Sequence, residues 1–430
     1  MSQALLHPRD AIVATMDRIY EYNLTTTSGG NLSIRDAGGE IWITPARLDK
    51  GSLRRTDIAC VLPDGTVEGP HKPSSELPFH REIYDARPDL GAIIHAHPGA
   101  LVSFSICGQV PDTHLFPESR RVCGEVAFAK YALPGSIKLA EHIATAFAAP
   151  SQPHCVLLEN HGVVIGGTDL EDAFARFETL EFTAAILLNA KVLGKVRLLT
   201  DAQLALAETP REPLPESDFL AVTSLEKERR KEICDFIGRA YHHRLMTSTH
   251  GSYSARVGHD HFIITPFHFD RRDLGLADLI SIHAGHRAPG SHPSRAVQLH
   301  RAIYREHPEL NAVLNALPVS ATAFAVSDFP LDTRTIPESY LFLKDVRKIP
   351  YSEQFGDGTA IAKHLTSQNP VVLLENNGAM VAGRTVLDAF DRLEVLEATS
   401  QAILRSRALG PLRPMSNEVI GELVDAFPSV

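Results

Sequence analysis

Apolar residues recur at helical spacing from Arg9 to Tyr22 (Ile12, Val13, Met16, Ile19, Tyr20), which predicts an amphipathic helix ending near Asn23. LTTTSGGNLSIRD follows, rich in Gly, Ser, Thr and Asn. It then alternates as a strand and continues into EIWITP, the pattern of a hairpin with a donor-rich loop at its mouth. PDGTVEG, 63–69, predicts a second tight turn. In HKPSSELPFHREIYDARPDL, Ser74 or Ser75 can cap a helix running to about Arg87. The apolar run GAIIHAHPG, Gly91 to Gly99, reads as a strand. Beyond it the pattern predicts a short helix from Gly99 to Ile106, a Pro-containing segment to Arg121 and a strand near Val126 to Ala129. A helix from about Ser136 to Ala148, a strand in LLENHGVVIGG and a long helix from Asp169 to Leu193 complete the series.

The pattern then starts again. HPSRAVQLHRAIYREHPELNAVLNALPVSATAFAVS, from His292, matches HKPSSELPFHREIYDARPDLGAIIHAHPGALVSFSI, and ITP, PES and LLENNG recur at 264–266, 337–339 and 373–378. LAETPREPLPESD, whose prolines break any helix, separates the copies. The expected organisation is one α/β domain over 1–205, a linker over 206–217 and a second copy over 218–430.

A chain of 430 residues is too long for one ordinary core, which agrees with two domains. With 44% hydrophobic and 22% charged residues it has a soluble globular composition. The net charge of −10 and the lack of a long Lys/Arg cluster argue against nucleic acid, so any anionic substrate must be held by local donors. No run approaches the roughly 18 apolar residues of a membrane span, and the charged N-terminal stretch does not read as a signal peptide. Five scattered cysteines, none in a C-x-x-C pair, indicate neither a disulfide framework nor a thiolate zinc site. The expectation is a cytoplasmic protein with a small-molecule substrate and no membrane partner.

His95 and His97 stand two apart at the end of an apolar strand, a spacing that aims both imidazoles to one side of a sheet. His161 follows the apolar run Cys155 to Leu158 and supplies a third. Three histidines with an open fourth position suit a catalytic zinc ion. Taken alone, an H-x-H pair is more often packed or surface histidine. The second copy is the internal control: it has Asn315, Leu317 and Asn377 at these positions and Ala296 opposite Glu76. All four groups vanish together while the apolar pattern persists, which favours a metal site in the first copy. His80 survives as His300 and is read as structural. The second copy's His242, His243, His250, His259, His261, His268, His283 and His286 lack a repeated spacing and are read as mostly surface residues.

Glu76 lies near the start of its helix beside Ser74 and Ser75, and a helix N-terminus attracts anions. Asn31 in SGGNLS and Thr44 in ITPAR are further donors that can close on the same anion, although each alone reads equally well as a cap or turn residue. A carboxylate beside a divalent metal can move a proton on carbon next to a carbonyl while the metal stabilises the enediolate.

HKPSSE, HAHP and LLENHG in this order, with SGGNLS and ITP upstream, resemble the class II aldolase and adducin head-domain family. The resemblance covers nearly all of the first copy and, in degraded form, the second. It implies two tandem α/β/α domains, each a central, mainly antiparallel sheet flanked by helices. It further implies that His95, His97 and His161 bind the metal, most simply Zn2+ with Mn2+, Co2+ or Fe2+ as alternatives, and that Glu76 is the acid/base. Asn31, Thr44, Ser74 and Ser75 would hold a substrate phosphate. The implied activity is retro-aldol carbon–carbon cleavage through a metal-stabilised enediolate. A decarboxylase or epimerase, a non-haem metal oxygenase and a non-catalytic adducin-like scaffold are the alternatives. The chain departs from the family pattern at Ala46 and Arg47. It departs again at His114 and Leu115, where the family's proton-donating tyrosine is missing and the donor is left open. Arg120 and Arg121 in PESRR offer a bidentate contact to a substrate carboxylate, against the plainer reading of surface loop arginines. The resemblance also implies a homo-oligomer, a dimer forming a pseudo-tetrameric ring of alternating live and silent copies.

Overall fold

The computed structural model describes residues 5–218 and 222–427. In the first copy, α1 (Pro8–Glu21) leads into β1 (Asn31–Arg35), β2 (Ile41–Ile43), β3 (Ala59–Val61) and β4 (Val67–Glu68). Then come α2 (Leu77–Ala86), β5 (Ala92–Ala96), α3 (Gly99–Ile106), α4 (Pro117–Cys123) and β6 (Val126–Ala129). α5 (Ile137–Phe147), β7 (Cys155–Leu158), β8 (Val163–Gly167) and α6 (Leu170–Leu193) finish it. The eight strands form one sheet in the order β4-β3-β2-β1-β5-β8-β7-β6, antiparallel except for β6 beside β7.

The run AIIHA of β5 is apolar without alternation because the strand lies between β1 and β8 and every residue is buried. α2 and α5 cover one face: Phe79, Ile83, Tyr84, Leu139, Ile143 and Phe147 pack with Ile43, Ile93, Val156 and Val164. A fully buried side chain of this size contributes about 1.5–3 kcal/mol over exposure. Two local expectations change. The segment before Arg121 is helical from Pro117, since proline is tolerated at the first position of a helix. The N-cap of α2 is Glu76, not a serine, because the helix starts at Leu77–Pro78 and the Glu76 side chain is drawn elsewhere.

The second copy repeats this order. α7 (Asp201–Ala207) and α8 (Ser224–His242) precede β9 (Ser252–Gly258), β10 (His261–Ile264), β11 (Ile280–His283) and β12 (His286–Arg287). α9 (Val297–Glu306), β13 (Ala312–Ala316), α10 (Val319–Ala325), α11 (Pro337–Leu343) and β14 (Arg347–Ile349) follow. α12 (Thr359–Ala362), β15 (Val371–Leu374), β16 (Gly378–Gly383), α13 (Val386–Ser406) and α14 (Asn417–Ala426) end the chain's elements. The sheet order β12-β11-β10-β9-β13-β16-β15-β14 reproduces the first sheet strand for strand. Its core joins Phe262, Ile264, Ile303, Val313, Val372 and Leu374. Each copy is therefore a mainly antiparallel sheet flanked by helices. The tertiary contacts separate two compact units, one running to Ala185 without Leu115–Pro117, the other holding Leu115–Pro117 and Ile186 onward. None of the eight scattered histidines of the second copy is buried.

Candidate active site

His95 lies on β5 opposite Asn31 of β1 and Val164 of β8, at the middle of the first sheet. Its ring is fully buried, and Nδ1–H donates to the Val163 carbonyl at 2.9 Å, which turns Nε2 toward Glu76 and the other two histidines. His97 follows one residue beyond the strand, and its Nε2 faces His95 Nε2 at 3.2 Å. His161 stands in the β7–β8 turn behind Asn160, whose φ of 53° makes the corner. Its backbone N–H donates to Ser105 Oγ at 3.1 Å, and that hydroxyl donates to the Leu158 carbonyl. The three ring centroids are 4.8–5.0 Å apart.

Two glycines make room. A Cβ at Gly162 would stand 2.5 Å from His97 Cδ2 and 2.6 Å from the Ala96 carbonyl oxygen. Gly30, at φ +71°, would place one 2.5 Å from the His95 carbonyl oxygen.

Glu76 completes the cluster. Its Oε2 is 3.2 Å from His95 Nε2 and accepts from Asn31 Nδ2 at 2.8 Å. Its Oε1 is 3.7 Å from His161 Nε2 and is buried without a hydrogen-bond partner among the described residues. Burial pushes this carboxyl up, but the charge and hydrogen bond of His95, then His161 and Asn31, outweigh it and hold it well below the usual carboxylate range. His97 is depressed to about 3 by burial and by repulsion from His95 and His161, and His161 to about 4 by burial and by His95. Both imidazoles are neutral at pH 7, the state a metal needs.

Behind Glu76 runs a directed chain of hydrogen bonds. Asn31 Oδ1 can only accept, so His80 Nε2–H donates to it. His80 Nδ1 then takes the Ser33 hydroxyl at 2.7 Å, and Ser33 takes the Tyr84 hydroxyl at 2.8 Å. Burial depresses His80 to about 3, so the ring stays neutral and this direction holds. The same four-residue logic appears in the second copy, where Tyr304, Ser254 and His300 end on Asn315 Oδ1, the residue in the place of His95. Ser252 stands there opposite Asn315, as Asn31 stands opposite His95. The amide has changed strands while its histidine partner is kept.

Thr44 is fully buried, and its hydroxyl accepts from Leu32 N–H at 3.2 Å. Ser74 is buried, its Oγ accepting from Glu76 N–H at 3.3 Å, and Ser75 is exposed at the same turn. Arg120 bonds Thr113 and Glu125, and Arg121 pairs with Glu118, all on the same stretch of chain. His114 is held by Asp112 at 2.7 Å.

The residue-by-residue reading missed the Tyr84–Ser33–His80 relay, Ser105 and Glu181. Glu181 is a buried carboxylate that accepts the first N–H groups of α3 from Ala100 and Leu101, as Glu397 does for Ser320 and Ala321. The signal was present: serine, histidine and tyrosine all recur in the second copy at matching places.

Among the described residues, His95, His97 and His161 are the group of donors close enough to share a metal ion, all within 4.8 Å. Tetrahedral nitrogens about 2.05 Å from zinc lie roughly 3.4 Å apart, which the 3.2 Å between His95 and His97 approaches. The unsatisfied Glu76 oxygen and the neutral imidazoles fit such an ion as well.

The family model for the class II aldolase and adducin N-terminal domain matches residues 10–188 and again 231–404. The chain belongs to that family. It is a tandem duplication within it. An L-fuculose phosphate aldolase of Methanocaldococcus jannaschii is 36% identical over 178 residues, 41% of this chain and 93% of its own length. A 3-oxo-tetronate 4-phosphate decarboxylase of Haemophilus influenzae is 31% identical over 204 residues, 46% of this chain and 95% of its own. A solved L-fuculose 1-phosphate aldolase is 32% identical over 46% of this chain and 93% of its own, with a TM-score of 0.42. No helix among the described residues is long and apolar enough to cross a membrane.

Proposed function

We propose that this chain is a metal-dependent carbon–carbon lyase acting on a phosphorylated or carboxylated hydroxy-carbonyl compound, with its reaction centre in the first copy, 1–205. The observation that carries the reading is the Glu76 carboxylate held against the imidazoles of His95 and His161 with one oxygen still unsatisfied. His95, His97 and His161 would hold the metal. When bound, the ion supplies Lewis-acid polarisation of a carbonyl oxygen. Zn2+ suits three neutral imidazoles and an open fourth position.

Glu76 moves the proton at the carbon next to the carbonyl. The relay from Tyr84 to Asn31 fixes the orientation of its carboxylate, and burial shields the proton that Glu76 delivers to this carbon once the carbon–carbon bond has broken. Thr44, Ser74 and Ser75 are assigned to the substrate's anionic end. Asn31 joins them once a substrate draws Glu76 away, since its amide nitrogen is then released. Arg120 and Arg121 are assigned to a substrate carboxylate, and reaching it requires them to leave Glu125 and Glu118. The second copy, 218–430 beyond the 206–217 linker, is assigned no reaction.

Decarboxylation by the same residues is the second reading, favoured by the oxo-acid phosphate decarboxylase among the relatives. The test is incubation with ketose 1-phosphates and 3-oxo-acid phosphates, reading released aldehyde and carbon dioxide. The wild-type chain should turn over one class, and Glu76→Gln should retain metal and lose about 100- to 10,000-fold in kcat. Undiminished turnover by Glu76→Gln would remove the carboxylate from the mechanism.

A further inference from the structure

The turn joining β9 to β10 differs in chemistry from its counterpart between β1 and β2. Its alignment is fixed at both ends. Arg35 donates to the carbonyls of Tyr84 and Leu90, and Arg256 donates to those of Tyr304 and Leu310. Arg35 then pairs across the hairpin with Ile41, and Arg256 with Phe262. Between these points run Asp36 to Glu40 in the first copy and Val257 to His261 in the second. The carboxylates of Asp36, Glu40 and, on α2, Asp85 give way to Val257, His261 and, on α9, Arg305. Three acidic positions have become neutral or basic while the hairpin is kept.

A cavity of about 270 Å³ lies beside this turn, with Arg256, His259, His261, Phe262, Tyr304 and Arg305 in its lining. Asp260 is the carboxylate in its wall, and both of its oxygens are occupied by Arg301, at 3.1 and 2.9 Å. Asp260 takes a φ of 46° where the first copy has Gly39 at +88°, so the turn keeps its shape and gains a side chain that holds Arg301. Arg256 is spent on backbone carbonyls and lies over the Tyr304 ring. Other donors are uncommitted. Arg305 and His259 are exposed and make no hydrogen bond among the described residues. His261 meets Ser281 Oγ through Nε2 at 2.9 Å, and its Nδ1 makes none.

We propose that this cavity is a binding site of the second copy for a compact organic anion, whose carboxylate or phosphate group is held by the Arg305 guanidinium with His259 and His261 beside it. The planar fork of a guanidinium matches either group. Phe262 and Tyr304, their ring centroids 5.3 Å apart, give an apolar floor for the carbon skeleton. Size limits the ligand, because 270 Å³ falls below the roughly 300–1,000 Å³ of ordinary small-molecule sites and a nucleotide is too large. The net charge of −10 gives no diffuse attraction for anions, so local donors must do the holding. The site shares no residue with the histidine cluster and needs no metal. It stands whether or not the first copy performs the reaction assigned above.

Equilibrium dialysis of the full chain against labelled inorganic phosphate and, separately, labelled succinate tests the site and tells the two groups apart. Salt at about 0.15 M, where the reach of a charge is about 8 Å, screens distant charges. His261→Glu combined with Arg305→Asp returns the first copy's residues to the same fold positions, so thermal unfolding should stay near wild type. The wild type should bind one more anion per 430-residue chain than this variant, with one of the two probes, since anion binding by the first copy is common to both. Arg305→Ala, at an exposed position, should weaken the site at least about tenfold. Arg305→Lys should weaken it less, because it keeps the charge and loses only the fork. Equal binding by the wild type and the double variant with both probes overturns the proposal, and so does an Arg305→Ala chain that binds as tightly as wild type.

Discussion

At the scale of single residues, two crowded positions govern whether the histidines meet. Gly162 has no φ that demands glycine; it is required by proximity, since a methyl group there would stand 2.5 Å from the His97 ring and 2.6 Å from a backbone oxygen. The ring can turn away, but the Ala96 oxygen belongs to the β5–β8 pairing, so the backbone at Gly162 must shift as well. Gly162→Ala should lower metal affinity by about 10- to 100-fold, measured by competition with a chelator, with folding of the metal-free chain preserved; unchanged affinity would mean His97 does not hold the ion. His300 tests burial without a metal nearby. Its ring is fully buried and depressed to about 4, by burial more than the Asn315 bond restores. A histidine kept neutral in the fold binds its proton mainly after unfolding. Its contribution is therefore complete above about pH 6.5 and is lost as pH falls from there toward 4, by on the order of 3 kcal/mol. Denaturant titrations across that window should show this slope in the wild type and a shallower one in His300→Gln. Equal slopes would show that His300 does not stay neutral in the fold.

At the scale of elements, β1 and α2 act together, because the relay from Tyr84 through Ser33 and His80 to Asn31 joins them under Glu76, and His95 of β5 meets the same carboxylate at 3.2 Å. The duplicated relay separates stability from function. His80→Ala and His300→Ala each leave a buried hydroxyl and amide without their partner, a loss of about 1–3 kcal/mol. Only His80→Ala should also lower kcat, by about 10- to 100-fold, with its effect in kcat and little in KM; loss of activity in both would make the relay merely structural. Most of these elements were legible from periodicity. α2, β6, α5 and α6 lie within a residue or two of their expected bounds, since each carries a run of apolar residues at the right period, whereas β5 stops at Ala96 and leaves His97 beyond its end. The histidine cluster was legible because the second copy deletes it. The N-cap at Glu76 and the double engagement of Asn31 were not, because local propensity favours a serine cap and a free amide, and both preferences are overridden by partners 19 to 49 positions away in sequence. α4 was missed because proline in the pattern reads as a break when it is in fact a start.

At the scale of the whole molecule, the chain holds one fold twice and the candidate chemistry once. Family membership over both regions explains the shared sheet order, yet the second copy has none of the three histidines and no counterpart of Glu76, while it keeps Thr265 and Ser294 in the places of Thr44 and Ser74. Asn315 Oδ1 is committed to His300, Asn377 Nδ2 donates to Gln354, Leu317 is buried hydrocarbon and Ala296 offers nothing. Amides tied into such bonds cannot compete for a divalent ion, whereas three neutral imidazoles can. The purified chain should therefore bind one metal ion per 430 residues, counted by elemental analysis after dialysis. His97→Ala should bring that count near zero. Restoring a single imidazole in the second copy by Asn315→His should not raise it to two, because Leu317, Asn377 and Ala296 still supply no ligand. Two ions per chain in the wild type would place a second centre elsewhere and end the division into one live and one silent copy. A count of one that survives His97→Ala would show that the ion sits away from the β5 histidines.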